Sequence, residues 1–165
     1  MQFKPVWISS PEHLALFGDI FKKTSWLRRV IGAYKSPLDF PCIQIKGMFG
    51  PARIPIIMFS QGQLEVENQL IRFRSANWPS PAGERFNLIN DWEFQLHKSD
   101  IRLVEKFEQQ SPVLKYYNMN FTRVQTNKPD VLGDLLLCVG GSGPSMKNIR
   151  RRSEELQQEL LKLKF

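Results

Sequence analysis

Cysteine and histidine each occur only twice in these 165 residues. Cys42 and Cys138 lie far apart in apolar, strand-like runs. That reads as two buried free thiols in a reducing compartment, with a disulfide as the alternative. His13 and His97 stand alone, and no His-x-x-x-His, Cys-x-x-Cys or carboxylate–histidine cluster offers a ligand set for a metal. No apolar run approaches the roughly 20 residues of a membrane-spanning helix. The start, Met1-Gln2-Phe3-Lys4-Pro5-Val6, lacks the cationic-then-apolar order of a signal peptide. Internal repeats and low-complexity tracts are missing as well. The expectation is a cytoplasmic protein of one domain with an appendage, long enough to bury about two-thirds of its unfolded surface without disulfide or metal. No cofactor is implied.

Catalytic signatures are equally thin. The Gly-x-Ser-x-Gly elbow does not occur, because Gly141-Ser142-Gly143 lacks its spacing. Asp91 and Glu93 would share a strand face, which reads as an exposed hairpin end. The chain is expected not to be an enzyme, although a site assembled from distant residues stays open.

Charge, by contrast, is plentiful and uneven. The net charge is +7, from 23 Lys/Arg and 16 Asp/Glu. Residues 1–60 carry eight cations and three anions, residues 61–143 nine and ten, and residues 144–165 six and three. Basic ends around a balanced middle suit an anionic lipid, an acidic protein or nucleic acid, or serve solubility alone.

The first 41 residues read as an amphipathic helix. Ser9 to Glu12 has capping-box spacing with Pro11 at the start. Leu14, Phe17, Ile20, Phe21, Leu27, Val30, Ile31 and Tyr34 recur near the helical period, with a break expected near Lys23-Thr24-Ser25. After Pro37 the period shortens to two. Strands are expected at Cys42–Lys46, Ile54–Ser60, Leu64–Glu67, Leu70–Arg74, Phe86–Leu96 with a bulge at Asn90-Asp91, Lys115–Thr126 and Leu132–Val139. Gln61-Gly62-Gln63 is expected to be a turn, and Ser99–Phe107 a short helix or a turn feeding another strand. Leu132–Val139 is almost unbroken in its apolarity, so it is a central strand. Ser145–Leu163 is a closing helix whose stripe of Met146, Ile149, Ser153, Leu156, Leu160 and Leu163 fits either a core face or a dimer seam.

Two constellations are candidate binding sites. The first couples the turn Gly141, Ser142 and Gly143 with Lys147, Arg150, Arg151 and Arg152 at the start of the closing helix. A helix N-terminus is already positive, so these cations are poorly placed unless an anion compensates. Arginine forks would grip phosphate, and the turn would add backbone donors. The alternatives are a turn needing positive φ and a solvated face, with Arg150–Glu154 and Arg151–Glu155 pairing four apart. The second is Lys22, Lys23, Trp26, Arg28 and Arg29, which suits a membrane interface or a partner, against the alternative of a helix packed on the domain. Nucleic acid is disfavoured, because Phe73 points opposite to Arg72 and Arg74 instead of interleaving with them.

Gly62-Gln63-Leu64-Glu65-Val66-Glu67-Asn68-Gln69-Leu70-Ile71-Arg72-Phe73 resembles the hairpin of GRAM-type domains, a branch of the pleckstrin-homology-like superfold. Leu96-His97-Lys98-Ser99-Asp100-Ile101 resembles the strand exit of such domains, and the final strand and helix complete the arrangement. The resemblance covers residues 42–165. It implies a mainly β (α+β) fold: a seven-stranded antiparallel barrel closed by a C-terminal helix, here with residues 1–41 as an N-terminal helical extension. It also implies a binding module for phosphoinositides or peptides. The leading expectation is therefore a non-enzymatic module that meets anionic phosphate groups or an acidic partner through its basic ends, with Lys147 and Arg150–Arg152 supplying charge and the turn at 140–145 backbone donors, peripheral to a membrane in the lipid case. The alternative is a protein–protein or homodimerisation module that uses its amphipathic helices.

Overall fold

The computed structural model describes residues 1–37, 39–47, 49–56, 58–76, 89, 91–108, 120–128, 131–140 and 146–163. Seven strands form one antiparallel sheet: β1 (Gln2–Ser9), β4 (Ser60–Glu67), β5 (Leu70–Ser75), β6 (Glu93–His97), β7 (Ile101–Phe107), β8 (Phe121–Thr126) and β9 (Asp134–Val139). Their lateral order is β6-β5-β4-β1-β9-β8-β7, with every neighbouring pair antiparallel. Among the described residues a separate hairpin, β2 (Cys42–Gly47) and β3 (Gly50–Pro55), and the helices α1 (Pro11–Lys23), α2 (Trp26–Val30) and α3 (Met146–Leu161) accompany the sheet.

The topology forces the sheet to curl. β6 and β7 are its two edges, yet only the 3₁₀ turn Lys98–Asp100 joins them. A flat seven-stranded sheet would hold its edges about 29 Å apart, whereas the His97-to-Ile101 link reaches about 14 Å. The corner is sealed by Lys98 N donating to Gln69 O (2.8 Å), Asn127 N to Asp100 O (2.9 Å) and Lys128 Nζ to Gln95 O (2.7 Å). The result is a half-barrel with a C-terminal helix, compatible with the pleckstrin-homology-like plan. Counted by chain order within the sheet, its strands run 4-3-2-1-7-6-5.

The concave side is filled by alternating residues, among them Val6, Ile8, Leu64, Ile71, Phe73, Leu96, Val104, Val124, Leu135 and Leu137. α3 closes it against β7–β9 with Ser153, Leu156 and Leu160 buried, as is Leu163 just past its end, so from Ser153 onward the apolar stripe is a core face. On the convex side α1 covers a second cluster, where Leu14 meets Phe121, Leu136 and Cys138, flanked by Trp7 and Phe107. β9 is buried on both faces, which explains its unbroken apolar run.

Several expectations need correction. Gln2–Ser9, read as part of a helical extension, is the middle strand of the sheet. Pro5 hides it, since proline cannot donate to a ladder. The structure takes it up in a register shift between Phe3 and Val6. α1, α2 and the small hairpin are thus inserted between two sheet strands instead of preceding the sheet. The cap of α1 is Ser10, whose Oγ accepts from His13 N at 3.1 Å; Ser9 is buried in β1. Cys42–Lys46 falls in the separate hairpin, and Ile54–Ser60 is not one strand, because β3 ends at Pro55 and β4 begins at Ser60. Gln61-Gly62-Gln63 is strand, not turn. Of the two alternatives for Ser99–Phe107 the turn feeding a strand is the one observed: Lys98–Asp100 leads into the edge strand β7 at Ile101–Phe107. The β4–β5 hairpin forms as expected around Asn68 and Gln69, both at positive φ, with Leu64, Val66, Ile71 and Phe73 inward. Phe86–Leu88 and Lys115–Met119 lie outside the described residues; of the strands expected over Phe86–Leu96 and Lys115–Thr126, the described parts are β6 and β8. Cys138 is buried, but Cys42 is half-buried with Ser36 Oγ 3.6 Å from its sulfur, and both thiols are free.

Candidate functional site

At the start of α3 the described cations are largely engaged. Arg150 Nε donates to Glu154 Oε1 at 3.2 Å, and Arg151 pairs with Glu155 at 3.6 Å. These are exposed i,i+4 pairs, worth at most about 0.5 kcal/mol each. They still hold both guanidinium groups along the helix and not beyond its end. Arg152 Nη1 donates to Lys4 O at 3.2 Å, which ties the helix to β1. Lys147 lies in the first turn of α3. Gly141, Ser142 and Gly143 lie outside the described residues. The preceding Gly140 is fixed by its neighbours: its N–H donates to Pro5 O at 2.9 Å, and a Cβ there would sit 2.2 Å from the Trp7 ring.

The second constellation is built differently. α1 ends at Thr24, whose buried hydroxyl donates to Ile20 O and accepts from Lys35 N. The chain then turns, and Ser25 caps α2. At the base of this lobe His13 is buried, with Nε2 2.6 Å from Ile56 O and its ring between Phe40 (5.0 Å) and Phe59 (4.7 Å). The end of α2 is bound to the small hairpin by Arg53 N donating to Gly32 O at 3.0 Å. Gly32 has φ +70, and a Cβ there would meet Ala52 Cβ at 2.3 Å, so only glycine fits this junction.

The polarity of α2 is inverted. At 100° per residue, Trp26, Leu27 and Val30 share one arc of the helix, with Arg28 and Arg29 on the other. The apolar arc faces solvent: Trp26 is 71% exposed, Leu27 63% and Val30 61%. Arg29 turns inward, its guanidinium 4.1 Å from the Phe21 ring centroid, a cation–π contact. Arg28, Lys22 and Lys23 are exposed and make no ion pair among the described residues. At the turn of the hairpin Phe49 is 77% exposed. Sequence placed Leu27, Val30 and Ile31 on the apolar side of a helix and left open whether that side packs on the domain or meets a partner; periodicity marks an apolar arc but not the side it faces. Leu16, Leu27, Val30 and Phe49 therefore join the surface, and only Trp26 with its neighbouring cations was legible beforehand.

One other charged cluster is fully paired. Arg123 reaches Asp134 through Nε (2.9 Å) and Nη2 (2.7 Å) and Glu105 through Nη1 (3.1 Å), while Gln125 donates to Asp134 at 3.2 Å. Hydrogen bonding from Arg123 holds the Asp134 carboxyl below its ordinary range. No group of three or more His, Cys, Asp and Glu among the described residues is placed to hold a metal. No described helix is long and apolar enough to cross a membrane.

Compared with family models, curated proteins and solved structures, the chain shows no significant match to any of them. Neither pleckstrin-homology nor GRAM membership is therefore supported by a relative.

Proposed function

We propose that this chain is a non-enzymatic binding module that docks on an anionic, phosphate-bearing or acidic partner through the lobe inserted between β1 and β4. The strand order and the closing helix support placing its sheet in the pleckstrin-homology-like superfold, while the narrower GRAM label rests on the β4–β5 hairpin alone. The observation that carries the functional reading is the charge of the lobe. Residues 10–59 hold seven Lys/Arg against three Asp/Glu, a net +4 of the chain's +7. Lys22, Lys23 and Arg28 stand free of described carboxylates, whereas Arg150 and Arg151 are paired. The start of α3 is accordingly the weaker of the two candidate surfaces.

The test is titration of the full chain with inorganic polyphosphate at two salt concentrations. Affinity should fall steeply with salt, because exposed charges are screened beyond about 10 Å at 0.1 M. Lys22/Lys23/Arg28→Glu should abolish binding, and Arg150/Arg151/Arg152→Ala should leave most of it. Wild-type affinity in both triple variants would overturn the reading. A second reading, a homodimer or protein-docking module, draws on the exposed arc of α2; sedimentation that shifts with protein concentration and is lost in Leu27→Ser/Val30→Ser would favour it.

A further inference from the structure

Building on that reading, we infer that the occupant of the lobe is the interfacial layer of an anionic lipid bilayer, entered by the apolar arc of α2 and by Phe49, and read by charge density instead of by head group. Four observations converge. Large apolar side chains at this degree of exposure are unusual when grouped, and here Trp26, Leu27 and Val30 occupy one arc of a single helix. The second aromatic, Phe49, sits at the turn of the hairpin that Gly32 and Arg53 bind to the end of that helix. Exposed cations flank both elements along the chain: Lys22 and Lys23 in the last turn of α1, Arg28 on α2, and Lys46 beside the hairpin turn. The lobe as a whole is positive, complementary to an anionic leaflet.

A bilayer fits this geometry better than a soluble acidic protein. Protein interfaces pack an apolar centre with few charges inside a polar rim. Here the apolar residues protrude on a five-residue helix and a hairpin turn, interleaved with cations in sequence. A fluid interface receives each protrusion separately. Trp26 is suited to the head-group level, where an apolar ring and a polar N–H are both satisfied. Lysine and arginine stems reach along the apolar layer while their charges meet lipid phosphates. Each such cation is worth about fivefold in affinity near an anionic surface.

The experiment uses the full chain with vesicles of phosphatidylcholine containing a third phosphatidylserine or phosphatidylglycerol, beside pure phosphatidylcholine and inorganic polyphosphate. The two anionic vesicles should bind equally, and the neutral one far less. Trp26→Ala and Phe49→Ala should each weaken vesicle binding about tenfold while leaving polyphosphate binding unchanged. Both residues are exposed, so the variants keep the fold, which far-ultraviolet circular dichroism verifies. Lipids brominated near the head group should quench the wild-type tryptophan emission, and Trp26→Phe should remove that quenching. Polyphosphate binding without vesicle binding, or vesicle binding indifferent to both substitutions, would overturn the bilayer inference and leave the anion-binding reading standing. Loss of polyphosphate binding as well would sink both.

Discussion

Gly62→Ala separates the observed fold from the one its local sequence suggests. Between two glutamines, Gly62 reads as a turn, where alanine is tolerated unless φ is positive. In the structure it lies within β4, paired with Val6 of β1 on one side and Ser75 of β5 on the other. A Cβ would stand 2.1 Å from Arg74 O and 2.7 Å from the Phe73 ring. Ordinary contact needs more than 3 Å, so β4 and β5 must part by about 1 Å. One of the two obstructing groups is backbone, which has no rotamer to escape into. Overpacking of this kind costs about 1–3 kcal/mol, and a strained ladder hydrogen bond adds about 1 kcal/mol. The expected loss is roughly 2–4 kcal/mol, a fall in Tm of about 5–15 °C for a chain of this size. Gly18→Ala is the control. It lies in α1 with nothing within 4 Å of a Cβ, and should stabilise by up to about 1 kcal/mol through helix propensity. Thermal and guanidinium unfolding of the three proteins under identical conditions decides the matter. A Gly62→Ala loss below about 0.5 kcal/mol would mean that residue 62 is not clamped between paired strands.

Further expectations concern titratable groups. Arg123 lowers the carboxyl of Asp134, so the pair adds stability that is present above the unfolded aspartate value of about 3.9 and lost as pH falls through the lower folded one. Urea unfolding from pH 6 downward should therefore show a component below about pH 4 that Asp134→Asn flattens; an identical acid slope in the variant would refute this role. Burial pushes the Cys138 thiol up, well beyond its ordinary value. Native protein at mildly alkaline pH should thus release one equivalent of thiol to a disulfide reagent, from Cys42, and two in denaturant, whereas rapid native release of both would place Cys138 nearer the surface.

Much of the sheet was legible because its signals are local. The period-two alternation of Leu64–Phe73 and the positive-φ turn at Asn68 and Gln69 need no distant partner to specify a hairpin. The unbroken run Leu135–Val139 announced burial on both faces. β1 was hidden because Pro5 contradicts a central strand unless the ladder shifts around it, and that shift depends on β4 and β9, more than 50 residues away. The small hairpin was legible as extended chain, but its separation from the main sheet was not. The pairing of Arg150 and Arg151 followed from spacing alone.

The binding surface divides along the same line. Composition and spacing were enough to concentrate positive charge in residues 10–59 and at the start of α3, and to mark an apolar arc in each helix. Which arc faces solvent was decided only when α1 laid Leu14 on the outer face of β9 and α3 filled the barrel with Leu156 and Leu160. That left α2 with its apolar side outward. A helical period gives the angle between residues but not the orientation of the helix, because orientation is set by whatever buries the most apolar surface elsewhere in the chain.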